Sequence, residues 1–232
     1  MNFLHSFFDN DSVFGQLMTR CGTIIAANLL FLLFSIPVVT IGASWTALHY
    51  TMMKMLREKE INPFKTFWHG FRNNWKHSTL AFAAVVLLLG ILALELFWCS
   101  QFTGFMSWFT YGLLAMVLAT VVLCIYLFPV IAAFGGNLKQ HIQASLYFAI
   151  QKPLNLILIL AVHIAPMAVT YLDLQRMPLY AFLWFFVGFA SVATFTGSFL
   201  LKQFTPFLDY SFDILTQKTE WEILEEMKRL DY

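Results

Sequence analysis

Residues 97–138 read FWCSQFTGFMSWFTYGLLAMVLATVVLCIYLFPVIAAFGGNL, with no Asp, Glu, Lys or Arg among them. A membrane-spanning helix needs about 20 mostly apolar residues. By length this stretch holds one span or two, and the whole topology turns on which. Its start, Cys99 to Gly104, is polar and turn-like. Phe102, Phe105, Trp108, Phe109 and Tyr111 then resemble an interfacial aromatic belt. Charge settles the count. With one span here, residues 49–77, 135–153 and the tail after Leu201 share a side and carry six, two and four Lys/Arg, while the other side holds only Arg20 and Arg176. With two spans, the same residues divide seven to seven. The excess of Lys and Arg on cytoplasmic loops selects the single span.

Working outward, Cys21 to Leu48 is free of acidic and basic residues, Leu80 to Trp98 is broken only by Glu95, Leu154 to Leu172 holds only His163 as an ionisable group, and Met177 to Leu201 is uncharged. The reading is an all-α polytopic membrane protein with five transmembrane helices, at about 20–39, 78–98, 107–130, 154–172 and 179–202. They form a membrane domain, 1–205, with the N-terminus outside and cytoplasmic amphipathic helices on the other face. A cytoplasmic C-terminal tail, 206–232, follows. Composition agrees: of 232 residues, 59% are apolar and 12% charged, against about 25% charged in a typical soluble domain. The 26 Phe and 7 Trp exceed what a soluble core of this size hides. A net charge of +1 offers no basic surplus for nucleic acid. Cys21, Cys99 and Cys124 lack metal-ligand spacing and read as small membrane hydrophobes. Met1 to Asp11 holds two acids and no Lys or Arg, unlike the basic start of a cleavable signal peptide, so the first span is expected to persist.

The cytoplasmic side carries the clearest patterns. Asn62 suits a helix N-cap with Pro63 at the first helical position. Phe64, Phe67, Trp68, Phe71 and Trp75 follow at offsets 0, 3, 4, 7 and 11, one aromatic face, with Lys65, His69, Arg72 and Lys76 off it. Two readings stand: a helix lying in the membrane interface with its cations at anionic headgroups, or a docking helix for a partner. Upstream, Pro37 and Gly42 predict a break near Ile36 and a new helix from about Ala43 to Glu58, capped by Thr40 or Ser44. The run Phe128-Pro-Val-Ile-Ala-Ala-Phe-Gly-Gly136 resembles Ile36-Pro-Val-Val. An amphipathic segment, Lys139 to Lys152, then ends at Pro153, so spans one–two and three–four read as a parallel pseudo-repeat. In the tail, Thr219 to Glu222 fits a capping box ahead of Trp221, Leu224 and Met227.

Within the spans, Asn28, Glu95 and His163 are the polar groups that burial makes suspects for transport or proton relay. Each also has a structural account. Glu95 sits near a helix end, His163 can bond to a neighbouring helix or to the carbonyl freed by Pro166, and Asn28 suits an inter-helix bond. Gly188, Ser191, Ala193, Thr194, Gly197 and Ser198 suit close helix contact in the last span. The sequence shows no zinc-protease, nucleophile-elbow or Walker A motif, so no catalytic residue, metal or cofactor is expected.

The segment Pro37-Val-Val-Thr-Ile-Gly-Ala-Ser-Trp-Thr-Ala-Leu48 resembles the YesL-type family of bacterial integral membrane proteins. Pro37, Thr40, Gly42, Thr46, Ala47 and Leu48 match its Pro-x-x-Thr-x-Gly-x-x-x-Thr-Ala-Leu pattern. The Phe-rich basic helix and the order of spans are similar too. The family's genes tend to lie beside carbohydrate ABC importers. The resemblance therefore implies an accessory, non-enzymatic subunit in the bacterial plasma membrane, touching the importer's permease subunits, with its ATPase as a further candidate contact. Phe64, Phe67, Trp68, Phe71, Arg72, Trp75, Lys76, Trp221 and Leu224 are the candidate contact residues. A stand-alone transporter or channel acting as an oligomer, and a membrane-bound enzyme or signalling partner, are the alternatives.

Overall fold

A computed structural model describes residues 13–58, 61–99, 101 and 107–208. All secondary structure among them is helical: α1 Val13–Phe34, α2 Ile41–Arg57, α3 Pro63–Cys99, α4 Ser107–Ala133, α5 Leu138–Gln151, α6 Pro153–Leu172, α7 Met177–Leu183 and α8 Phe189–Leu208. A π-helical turn, Trp184–Gly188, joins the last two without a break. Five helices are long and apolar enough to cross a membrane: Phe14–Phe34, Pro63–Cys99, Trp108–Ala133, Pro153–Leu172 and Leu174–Thr205. Among the described residues, the 97–138 stretch thus supplies one such helix of its own, Trp108–Ala133. The tail with Trp221 and Leu224, and most of the turn at 99–104, lie outside the described residues.

The chain between α1 and α2 explains the break at Ile36. Backbone bonding of α1 ends around Ser35, where Pro37 cannot donate. Val38–Thr40 forms a single 3₁₀ turn. Thr40 does stand at the N-cap position of α2, but it makes no cap bond. Its hydroxyl donates backwards instead, to the Phe34 and Pro37 carbonyls at 2.6 and 2.7 Å. The predicted cap is therefore a clasp across the break.

Helix α2 is the centre of the molecule. Gly42, Ala43, Ser44, Thr46 to Met53 and Met55 are all buried. It packs on α1, α3, α4 and α8. Three contacts set it antiparallel to α3: Gly42 meets Ser78 and Phe82, the Thr46 hydroxyl bonds the Ser78 hydroxyl at 2.8 Å, and Gly70 of α3 lies under the Tyr50 ring. A Cβ on Gly42 would stand 2.5 Å from both the Phe82 Cβ and the Ser78 carbonyl oxygen, so only glycine permits this approach. Against α8 the order is parallel: Trp45 contacts Phe189, and Gly197 lies against Met53 and Leu56.

Two expectations give way here. The aromatic segment from Phe64 is not a separate connector lying across the spans. Helix α3 runs unbroken for 37 residues, about 55 Å at 1.5 Å per residue, well beyond a hydrocarbon core of about 30 Å. No proline or glycine cluster interrupts it, so the basic half continues in line with the span. The pseudo-repeat also fails at its proline. Pro37 follows the end of α1, whereas Pro129 lies inside α4, which continues to Ala133.

Candidate functional site

Two regions merit description as sites: the exposed rim of α3, and a polar layer buried beside α2. Asn62 caps α3 as its sequence suggests, its Oδ1 accepting from the Lys65 N–H at 3.1 Å. Phe67 is fully buried and contacts the Phe34 ring at the end of α1; Trp68 and Phe71 reach the same ring from the side. Phe67 is thus a core residue and leaves the candidate docking set. Phe71 is half-buried and stacks on Trp68. Phe64, Trp68 and Trp75 stay 59%, 45% and 48% exposed, with Arg72 and Lys76 exposed beside them. Helical spacing puts Phe64, Trp68 and Trp75 on one face, with Arg72 and Lys76 along its edge. Of this interaction set, five members form an open surface at the basic end.

Nearby, a small cleft of about 60 Å³ separates α3 from the end of α4; Tyr50, His69, Asn73 and Asn74 line it with 131–135. Burial, with Glu58 adding to it, pushes the Tyr50 phenol up to about 12. His141 of α5 is buried against His77 of α3, with ring centres 6.2 Å apart. Burial lowers its pKa, the neighbouring His77 lowers it further, and a hydrogen bond with the Gly136 backbone opposes both.

The suspects in the spans now separate. Asn28 is fully buried and makes three bonds to the last span. Its Nδ2 donates to the Trp184 and Phe185 carbonyls at 3.1 and 2.7 Å, and its Oδ1 accepts from the Ala190 N–H at 2.9 Å. A π turn displaces the regular i→i+4 bonds, and Asn28 takes up the groups it frees. These three bonds account for its burial. Glu95 is exposed near the end of α3. His163 bonds within its own helix, Nδ1 donating to the Ile159 carbonyl at 2.9 Å, rather than to a neighbour or to the carbonyl freed by Pro166. Its ring meets Trp45 edge-on. Of the small residues in the last span, Ala193 is fully buried and Gly197 lies on α2, while Gly188 and Ser191 line an open groove against α6.

The residue that sequence reading passed over is His49. It sits on α2 with no exposed surface, its ring 5.1 Å from that of Trp45. Neither ring nitrogen has a hydrogen-bond partner among the described residues. Burial, reinforced by His163, depresses its pKa to about 3, so the ring is neutral at ordinary pH. Met53, Val130, Ile159 and Leu200 form one apolar cluster contributed by α2, α4, α6 and α8. One helical turn away along each helix stand His49, Tyr126, His163 and Thr196. The Tyr126 and Thr196 hydroxyls are likewise buried without a hydrogen-bond partner among the described residues. His49 escaped notice because it lies outside every predicted span, in a helix assigned to the cytoplasmic face.

No curated protein and no solved structure matches the chain. A family model, described as protein of unknown function DUF624, matches residues 24–96. That segment runs from the middle of α1 through all of α2 to the far part of α3, and so contains the Pro37–Leu48 motif, His49 and the aromatic rim. DUF624 is the YesL-type family that the motif resembles, and residues 24–96 of this chain are similar to it.

Proposed function

We propose that the protein is a non-catalytic accessory subunit of the bacterial plasma membrane that binds the permease pair of a carbohydrate ABC importer, with its basic end near the ATPase. The observation that carries this reading is the rim of α3. Phe64, Trp68, Arg72 and Trp75 are displayed on a rigid extension of a span. Trp and Arg dominate interface energetics, and a surface already ordered loses little entropy on binding. The charge distribution turns this end, and the C-terminus, toward the cytoplasm and the N-terminus outward. The class of partner comes from the gene neighbourhood that the family resemblance implies, an association rather than a contact. Affinity purification from native membranes in mild detergent tests it. Permease subunits should co-purify with the wild type and be lost from a W68A/W75A variant. Recovery of the intact chain without any transporter subunit would sink the idea.

A second reading, a stand-alone transporter, draws on the buried layer around His49, because intramembrane polar groups often mark solute paths. Solute flux through liposomes holding this chain alone would favour it.

A further inference from the structure

The rim of α3 and the end of α8 stand at the same end of the molecule. Phe204 of α8 packs on Phe134, just past the end of α4, and residues 131–135 face His69, Asn73 and Asn74 of α3 across the small cleft. This end is basic. Between residues 41 and 76 the described residues include Lys54, Arg57, Lys65, Arg72 and Lys76 against one acid, Glu58, whose carboxylate pairs with Lys54 at 3.7 Å. Lys65, Arg72 and Lys76 have no ion-pair partner among the described residues. Helical spacing sets these three along the edge of the Phe64, Trp68 and Trp75 face, on the side of His69 and the cleft.

That aromatic face extends beyond the reach of lipid. The apolar run of α3 begins near Ser78. At 1.5 Å per residue, Trp68 stands about 15 Å and Phe64 about 21 Å beyond it, past a headgroup layer of about 5–8 Å. Aromatic groups exposed to water in such a cluster mark a surface that another protein segment covers.

The chain itself carries a complementary segment. Residues 209–232, outside the described residues, hold seven Asp and Glu against three Lys and Arg, whereas residues 1–208 hold six against eleven. In the helix that its capping box predicts, Glu222 and Glu225 stand beside the stripe of Trp221, Leu224 and Met227. An apolar stripe with an acidic edge thus matches an aromatic stripe with a basic edge. The connection is long enough. Thirteen residues separate Leu208 from Trp221. Extended, they cover about 43 Å, enough to pass α4 and α3 at about 10 Å each.

We propose that residues 219–230 dock within the same chain on the Phe64, Trp68 and Trp75 face of α3, with their carboxylates on Lys65, Arg72 and Lys76, and cover the rim until a partner displaces them. As regulation of the surface assigned above to the permease, the cover rests on that reading; the contact itself does not. A tether of this length holds the segment at an effective concentration of about 1 mM, so a contact with a Kd of about 0.1 mM is about 90% formed.

Carbodiimide cross-linking tests this, because it joins a carboxylate to a lysine amine only where the two touch. The full chain is held at one copy per nanodisc in zwitterionic lipid, which removes second copies and anionic headgroups as competitors. Digestion and mass spectrometry read the joined pairs. The expected products link Glu220, Glu222, Glu225 or Glu226 to Lys65 or Lys76. W68A/W75A keeps every lysine and should lower their yield about threefold or more. Arg72→Glu, at an exposed position, should lower it too, as should 1 M salt, which cuts the screening length to about 3 Å. A set of products lacking both Lys65 and Lys76, such as one confined to Lys152 and Lys202 beside the end of α8, overturns the proposal. So does the absence of any product from residues 219–230, or a yield unchanged in both variants. No transporter is present, so failure here and failure of the co-purification are separate results.

Discussion

Gly42→Ala separates packing from propensity by the sign of its effect. In a helix interior alanine is favoured over glycine by about 1 kcal/mol, so an uncrowded site would gain stability. Here the new methyl would lie 2.5 Å from the Phe82 Cβ and 2.5 Å from the Ser78 carbonyl oxygen. Neither is the free end of a side chain, so α2 and α3 must part by about 1 Å to restore contact near 3.5 Å. That separation stretches the Thr46–Ser78 bond from 2.8 Å out of hydrogen-bonding range and leaves two buried hydroxyls weakened. Overpacking costs about 1–3 kcal/mol and the buried bond about 1–2 kcal/mol. After the helical gain, the net loss is about 1–4 kcal/mol. For a chain of this size that lowers Tm by about 2–15 °C. Thermal unfolding in a fixed detergent, followed by circular dichroism, reads it. A Tm equal to or above wild type would refute the close-approach account of the motif glycine. G42A/F82A should recover only part of the loss, because the Ser78 carbonyl remains.

Three further outcomes follow from named contacts. Asn28→Leu leaves two carbonyls and one N–H of the π turn without the bonds that Asn28 makes, and should cost about 2–4 kcal/mol in the same assay; an unchanged Tm would argue that the turn does not depend on it. Phe67→Ala empties a fully enclosed site and should cost about 3–5 kcal/mol, whereas Phe64→Ala, on the exposed side, should stay within about 0.5 kcal/mol. Equal losses would contradict the division of the aromatic stripe into core and rim. His49 gives a pH dependence of stability whose sign is opposite to that of a histidine paired with an acid. Its folded pKa is depressed, so its contribution is fully present above 6.5 and is lost as pH falls toward about 3, by up to about 1.4 kcal/mol per unit. Denaturation as a function of pH should show this slope reduced in His49→Leu, with His141, also depressed, supplying a remainder. An identical slope in the variant would exclude His49 as its source.

The sequence by itself determined the number of helices long and apolar enough to span, because transfer of apolar residues to lipid depends on composition over about 20 residues. It determined the break at Pro37 and the start of α3 at Pro63, since these rest on a missing N–H and a local cap. It also marked Gly42, Thr46, Ala47 and Leu48 through the family motif, without giving their reason. Tertiary structure decided what neighbours decide. Whether α2 lies at a surface or at the centre depends on four other helices closing around it. A segment with His49, Thr46 and Lys54 reads as polar until those contacts exist. The aromatic stripe of α3 divides into core and rim only where Phe34 arrives. Whether Asn28 serves chemistry or architecture depends on the π turn, 156 residues further along the chain, that receives its bonds. Hydropathy is a sum over local residues, whereas burial, partnership and the enclosure of His49 belong to pairs of residues that only folding brings together.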